Sequence, residues 1–130
     1  MTAAPDIAKY LQDNLTPPGT FIIGTNIFTS QMPSDPSKAI CVYQTSGRKP
    51  DPVETTEYPG IQIIVRDTVA ADAEALADQI FQLLAGAINL TINTRAYHWI
   101  EAQGSPINIG QDDLLRVAFT ISFVVMKDMD

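Results

Sequence analysis

In the stretch from Val117 to Val125, large apolar residues occupy every second position. Successive side chains of a strand point to opposite faces, so this spacing predicts a strand with one face in the core. It is the clearest period-two pattern in the chain. One face holds Val117, Phe119, Ile121, Phe123 and Val125, and the other holds Arg116, Ala118, Thr120, Ser122 and Val124.

A helical pattern runs from Val69 to Leu84, where apolar residues recur at intervals of three and four. Asp67 or Thr68 is placed to cap the start of this helix through a side-chain oxygen, and Gly86 is placed to end it. We expect the apolar stripe to pack against the final strand. The stripe consists of Val69, Ala73, Leu76, Ala77, Ile80, Leu83 and Leu84.

Weaker patterns predict further elements. Pro5 to Leu15 has apolar residues at helical spacing and predicts a short amphipathic helix. Phe21 to Phe28 and Ala39 to Thr45 are apolar and β-branched, which predicts two antiparallel strands. Ile61 to Val65 is apolar on both faces except for Gln62 and predicts a central strand.

The second half of the segment Thr91 to Glu101 predicts one more strand. Alternation places Tyr97 and Trp99 on one face of it. His98 and Ile100 then fall on the other face. The sequence that follows, QGSPINIGQDD, holds glycines, a proline and two aspartates, which predicts an irregular connection.

Length and composition indicate one soluble globular domain over residues 1–130. The chain has 45% apolar and 18% charged residues, which is typical of folded rather than disordered proteins. It contains neither an apolar run of about 18 residues nor a signal sequence, so we expect synthesis in the cytoplasm without export. The net charge of −7 argues against binding nucleic acid through its phosphates.

The isolated reactive side chains are better explained by structure than by catalysis. Cys41 is the single cysteine and lies in the apolar run ICVY, so we expect a buried thiol. His98 is the single histidine and lacks grouped ligands at the spacing of a zinc site, so we expect a partly buried, hydrogen-bonded residue. Asp112 and Asp113 supply too few ligands for Mg²⁺ and are expected in a turn. No catalytic, metal-binding or cofactor-binding residue is predicted.

Three stretches, taken in order along the chain, resemble the tail terminator and minor capsid (head–tail completion) proteins of long-tailed bacteriophages. The resemblance spans Tyr58 to Lys127. It rests on a PGIQI-type strand that ends in arginine, a helix with an alanine, leucine and isoleucine stripe, and a QGSP-x-x-x-G-x-D turn before an R-x-x-F-x-x-x-F strand. The stretches are YPGIQIIVRD, ADAEALADQIFQLL and IEAQGSPINIGQDDLLRVAFTISFVVM.

The resemblance implies a small α+β subunit with a mixed, mostly antiparallel sheet and helices on one face. The predicted elements give that subunit two helices and about four to five strands. The implied function is structural and not enzymatic: a virion protein of the neck, made in the cytoplasm of a host bacterium. Such subunits close into a ring, commonly of six, at the head-proximal end of the tail tube, where the ring stops tube polymerisation and joins the tail to the head connector.

The implied partners are further copies of the chain, the tail-tube protein and a head-completion or connector protein, with no membrane. Six copies would carry a formal charge of 6 × −7 = −42. A channel wall of that sign would let DNA pass without specific binding.

Two residues are candidates for subunit contacts. Arg66 closes a strand beside Asp67, and general acid–base catalysis by this pair would need a third group and a pocket. We expect Arg66 to form an ion pair with a carboxylate of its own subunit or of a neighbour; a solvated arginine is the alternative. Phe81 lies roughly 100° from the centre of the helix stripe, so it belongs either to the edge of the core or to a subunit contact.

The segment Ser46 to Pro59 predicts a long exposed loop that is mobile in the free protein and becomes ordered on docking. Arg48 and Lys49 lie at one end of it, and Glu54 and Glu57 at the other. This bipolar charge would suit a tail tube or connector ring. The alternative is a solvated hairpin loop without a partner.

A different class of function also fits the aromatic cluster. Tyr97, His98 and Trp99 would line the pocket of a monomeric enzyme or small-ligand module. That hypothesis requires a deep apolar cavity with converging polar groups.

Overall fold

The computed structural model describes residues 3–48 and 55–128. Helices and strands follow one another in the order α1, three strands, α2 and four strands. In chain order the elements are α1 (Ala3–Asn14), β1 (Ile27–Thr29), β2 (Ala39–Arg48), β3 (Thr56–Asp67), α2 (Ala70–Leu84), β4 (Ile88–Ile92), β5 (Arg95–Ala102), β6 (Ile107–Gln111) and β7 (Val117–Asp128).

One sheet holds all seven strands of the described residues, in the order β1-β2-β3-β7-β5-β4, with β6 paired to β7. Every neighbouring pair is antiparallel except β1 and β2, which are parallel. The predicted α+β class with a mostly antiparallel sheet is confirmed, but the predicted count of four to five strands is wrong. The sequence pattern does not reveal β4 and β6, because five residues are too few to establish a period. The supposed connection QGSPINIGQDD contains β6.

Both helices pack on one face of the sheet and form a single apolar core with it. The strand register places Val42 beside Ile63 and Ile63 beside Ile121, so alternate residues of β2, β3 and β7 share this face. The stripe of α2 packs there as predicted, except that Leu83 is only partly buried and Val69, the N-cap residue, is 50% exposed. Fully buried core side chains include Ile7, Leu11, Ile40, Ile61, Ile80, Leu84 and Phe123.

The predicted strand Phe21 to Phe28 is wrong for most of its length, and its predicted antiparallel pairing is wrong as well. Only Ile27–Thr29 are extended, as the short strand β1 parallel to β2. The preceding residues form a turn, in which the Ile22 amide donates to Asn26 Oδ1 at 2.7 Å. Gly24 has φ +87 in this turn. An asparagine side chain that accepts from a nearby amide competes with strand hydrogen bonds, which explains the change.

The start of α2 differs from the prediction, and its end agrees with it. The N-cap residue is Val69, without a side-chain cap, so the predicted cap by Asp67 or Thr68 is wrong. Asp67 is the last residue of β3, and its Oδ1 accepts from the Val69 amide at 3.3 Å before the helix begins. At the other end Ala85 is the C-cap residue, and Gly86 follows it with φ +77, which suits glycine.

Strand β5 does not alternate as predicted. Tyr97 and Ile100 both lie in the core, with exposed fractions of 1% and 2%, although alternation would place them on opposite faces. The pairing of β5 with β7 shifts register between Tyr97 and Trp99. One extra residue in a strand moves the following side chains to the other face. The shift therefore lets two large residues fill the same core.

The predicted loop Ser46 to Pro59 is shorter than expected. β2 continues to Arg48 and β3 begins at Thr56, with a register irregularity between Thr45 and Arg48. Gly47 lies in that irregularity with φ +61, and a Cβ there would come within 2.1 Å of the Tyr58 carbonyl oxygen. The two ends of the supposed loop are thus the stem of a hairpin. The predicted mobility of residues 49–54 lies outside the described residues.

Candidate assembly surface

The residues predicted for subunit or partner contacts do not form one site. The side chain of Arg48 lies outside the described residues, as do Lys49 and Glu54. Glu57 and Arg66 lie near opposite ends of β3, about 30 Å apart at the rise of an extended strand. The structure therefore gives these two charges separate roles.

Glu57 forms an ion pair within the subunit. Its Oε1 accepts from Lys127 Nζ at 2.8 Å, where the lysine side chain is fully buried and the glutamate side chain is 30% exposed. The ammonium also lies 5.9 Å from the ring centroid of Tyr97. A buried ammonium requires such partners, because its desolvation is otherwise very unfavourable. The position of Glu57 beside the hairpin stem therefore stabilises the far end of β7.

Arg66 is buried and binds backbone carbonyls rather than a carboxylate. Its Nη2 donates to the carbonyls of Pro33 and Pro36 at 2.9 and 2.5 Å, and its Nε donates to that of Ser37 at 3.1 Å. Burial lowers the pKa of the guanidinium, and the nearby charge of Arg116 lowers it further. Neither the predicted carboxylate partner within the subunit nor the solvated alternative describes this residue. Every residue has a backbone carbonyl, so no sequence pattern indicates which carbonyls Arg66 will bind.

Arg116 holds the same segment from the side of β7. Its Nη1 donates to the carbonyl of Ser34, and its Nε donates to Asp112 Oδ2 at 2.7 Å. Asp112 Oδ1 also accepts from the amides of Leu114 and Arg116, each at 3.0 Å. The prediction of Asp112 as a turn residue is confirmed. The two arginines together fix residues 33–37 against the ends of β3 and β7.

Phe81 packs half-buried on α2 against the apolar core. This location matches the first of its two predicted places, the edge of the core. A subunit contact through its exposed part stays a prediction.

A buried carboxylate, which the sequence pattern does not reveal, ties α1 to the β4–β5 hairpin. Asp6 is 1% exposed. Its Oδ2 accepts from the Tyr97 hydroxyl at 2.5 Å, and its Oδ1 accepts from Asn93 Nδ2 at 2.9 Å and from Arg95 Nη1 at 3.1 Å. An aspartate in the first turn of a helix indicates only a favourable interaction with the helix dipole. Its true partners lie about 90 residues away along the chain.

Two exposed apolar edges lie on different sides of the sheet, one beyond β7 and one at β1. The first, here called the β6 edge, is residues 107–115, all of them exposed. In the part of the chain that the structure describes, β6 pairs only with β7, so the outer side of β6 has no strand beside it. Its large apolar side chains are between 52% and 67% exposed: Ile107, Ile109, Leu114 and Leu115.

The second, here called the β1 edge, is residues 20–29. β1 is the terminal strand of the sheet order, and the turn before it exposes 47% of Ile22 and 43% of Ile23. The Ile23 amide donates to Gln12 Oε1 of α1 at 2.8 Å, so this turn is anchored to the body of the subunit. Apolar side chains that are exposed on an ordered edge are typical of a protein contact.

Residues 10–128 match the family model for the bacteriophage tail terminator protein. The chain belongs to this family. The predicted family is confirmed, and a tail terminator is a component of the virion. No curated protein matches the chain significantly.

The fold of this tail terminator also occurs among solved structures. One of them aligns with a TM-score of 0.57 and 15% identity over 98% of this chain and 93% of that chain. At such low identity the alignment supports the fold alone.

The remaining side chains of the terminator do not assemble the pocket of the rival hypothesis. The Tyr97 hydroxyl is bound to Asp6, and His98 Nε2 lies 2.8 Å from Asp128 Oδ1. Trp99 lines an open groove of about 490 Å³ together with residues 85–88 and 100–102. The three aromatic side chains thus point to different surroundings. His98 is partly buried and hydrogen-bonded, as predicted.

Cys41 of the terminator is a buried thiol, as predicted. It is fully buried, and burial raises the pKa of its thiol. The described residues contain no group of three or more His, Cys, Asp or Glu side chains placed to hold a metal ion. Neither of the helices seen in those ranges is long and apolar enough to cross a membrane.

Proposed function

We propose that this tail terminator closes into a ring, of six copies, at the head-proximal end of the tail tube. The ring stops further addition of tube protein and presents a surface for the head connector. The family match over residues 10–128 carries the proposal. Two different exposed edges on one subunit support it, because a head-to-tail contact between unlike surfaces produces a closed ring when its rotation divides the circle.

The charge of the chain supports the passage of DNA through that ring. Each copy carries −7, and six copies carry 6 × −7 = −42. Like charge on a channel wall repels phosphates and prevents DNA from adhering while it moves. The proposed partners of the ring are the tail-tube protein and a head-completion or connector protein, and in this proposal the subunit is made in the host cytoplasm before assembly.

The hairpin between β2 and β3 is a second contact of the proposed ring. Its stem is formed by the paired ends of β2 and β3, and the sequence of its tip carries Lys49 and Glu54. These charges dock on the tube or the connector. Replacement of residues 49–54 by a two-residue turn should leave the subunit folded and its ring mass normal while tails exceed their usual length. Tails of normal length with the shortened hairpin would remove this contact from the proposal.

The central experiment compares mass with tail length. Native mass spectrometry and light scattering over a range of concentrations should show a monomer when dilute and closed rings when concentrated. Electron micrographs of tubes polymerised with the protein should show a ring at one end and tubes of limited length. A stable dimer, with tubes that grow as long as they do without the protein, would refute the proposal.

A further inference from the structure

The two apolar edges differ in how they end the sheet. The β6 edge is a five-residue strand, about 17 Å long, whose outer backbone groups have no strand beside them among the described residues. Sheet edges are usually protected by lysine, proline, bulges or a covering element. Residues 107–115 contain no lysine or proline, and the protective features here are a register irregularity between Asn108 and Gly110, the short length of the strand and the acidic pair that follows it. The exposed isoleucines therefore lie on an edge open to another strand.

The β1 edge differs from the β6 edge in its charge. Copies with a net charge of −7 repel one another, and the β6 edge adds the acidic pair Asp112-Asp113. Residues 14–34, in contrast, contain no charged side chain. Lys38 lies beside this segment, with its Nζ 5.8 Å from the ring centroid of Phe21 and 3.8 Å from Asp67 Oδ2, and its side chain is 48% exposed. The β1 edge is thus an uncharged apolar segment with one half-exposed cation beside it, whose carboxylate partner Asp67 is buried.

We infer that the β6 edge of one copy docks on the β1 edge of the next, so that Ile109 lies near Ile23 of the neighbour. The inference rests on the proposed ring and names the two surfaces that form it. The sheet order places these edges on different sides of the subunit, so the contact joins unlike surfaces and continues from copy to copy. The open edge of β6 supplies backbone donors and acceptors, whereas the Ile27 backbone in β1 is already bonded to Ile22 and Gly24 of its own turn. Burial of the exposed isoleucines of both edges is therefore the main stabilising interaction of the contact.

The size of the contact predicts that rings form only when the protein is concentrated. A standard interface uses about 20–30 residues on each side. The β6 edge has nine residues and the β1 edge has ten, so one contact alone is weak. Closure of the ring gives every subunit two such contacts and makes the last association intramolecular, which stabilises the closed ring over open chains.

Disulfide mapping between copies tests the contact. In a Cys41→Ala background, the variants Ile23→Cys and Ile109→Cys are mixed in equal amounts at ring-forming concentration and oxidised. We expect a covalent dimer from the mixture and little from either variant alone. A chain that carries both substitutions should give a ladder of products up to the size of the ring.

Ile88→Cys is the matched control. Ile88 is 65% exposed on β4 and pairs with Trp99, which lies opposite Met126 of β7. The irregularity in β6 lies opposite Phe119 and Ala118 of β7. These two residues are about 24 Å from Met126 along the strand. A mixture of Ile88→Cys with Ile23→Cys should therefore give less than about a tenth of the dimer.

A charge substitution gives an independent readout. Ile109→Asp should raise the concentration for half-assembly by at least about tenfold, whereas Ile88→Asp should change it less than about twofold. Circular dichroism of both variants verifies that the subunit stays folded.

The outcomes separate the contact from the ring. Rings of normal mass without the mixed disulfide, or with equal yield from the Ile88 control, would overturn the contact and leave the ring proposal standing. A dimer from Ile109→Cys alone in equal yield would show a symmetric contact between two β6 edges and overturn it too. Wild-type protein that forms no ring, before any oxidation, would overturn both.

Discussion

Strands β6 and β7 are neighbours in the chain and are paired with each other, yet their surroundings are opposite. All five residues of β6 are exposed, whereas seven of the twelve residues of β7 are buried. The difference comes from what covers them. Helix α2 packs over β7, which has β3 along one side and β5 and β6 along the other. Among the described residues, β6 has a strand on one side alone.

The sequences of the two strands agree with these different surroundings. β7 places aromatic and β-branched residues at every core position, which favours a packed sheet surface. β6 is INIGQ, with a glycine at φ +98 and a register irregularity. We conclude that β7 specifies the fold, whereas β6 is held in place by β7 and by the Asp112 turn and is free to take part in assembly.

The largest effect is expected in β7. Phe123 is 1% exposed, so Phe123→Ala should lower the free energy of unfolding by about 3–5 kcal/mol through lost burial and a residual cavity. A urea titration followed by circular dichroism measures it. A loss below about 1 kcal/mol would show that this face of β7 is not the core.

A smaller effect is expected where β6 is irregular. Gly110 has φ +98, and a Cβ added there would have no neighbouring atom within 4 Å, so Gly110→Ala is strained without being crowded. We expect a loss of about 1–2 kcal/mol in the same titration. Thr91→Ala, an exposed substitution on β4, is the control and should be close to neutral. Equal losses for Gly110→Ala and Thr91→Ala would mean that the backbone of β6 adjusts to the alanine without strain.

A still smaller effect is expected from the apolar surface of β6 in the isolated subunit. Ile109 is 52% exposed, so Ile109→Ser should change the free energy of unfolding of the dilute monomer by less than about 0.5 kcal/mol. The same titration well below the ring-forming concentration measures it. A loss above about 1 kcal/mol would place Ile109 in the subunit core and abolish the contrast between the strands.

The turn between the strands should contribute through pH. The backbone N–H of Arg116 is the main cause that lowers the pKa of Asp112 from 3.8, so the folded state favours the carboxylate. Its contribution is complete above that value and is lost as the pH falls below it. Asp112→Asn should therefore be less stable than wild type at neutral pH, and the difference should shrink at about pH 2. Urea titrations at both pH values measure it, and a constant difference would assign the effect to something other than the charge.

Elements with a sustained period were predictable from the sequence. The stripe of α2 and the alternation of β7 identify both elements and the face on which they meet, because burial repeats with the geometry of the backbone. The short strands β4 and β6 were not predictable, because five residues are too few to establish a period. The register shift at Tyr97 likewise could not be predicted from the sequence pattern, because it depends on the pairing of β5 with β7.

The contacts of charged residues were the least predictable. Arg66 binds carbonyls of residues that are about 30 positions away, and Asp6 binds side chains about 90 positions away. No local spacing relates such residues, since they meet only after the sheet has formed. The surfaces proposed for assembly have the same origin: they become edges through the strand order and not through any motif.

The hydrogen bond between Asp6 and Tyr97 has a consequence for the nascent chain. These residues are 91 positions apart, and at about 5–20 residues per second the ribosome needs on the order of ten seconds to make the intervening chain. During that time α1 has no β4–β5 hairpin to close over its buried carboxylate, and Ile7 and Leu11 lack much of their core. The contacts that bury Asp6 can therefore form only after most of the chain has been synthesised.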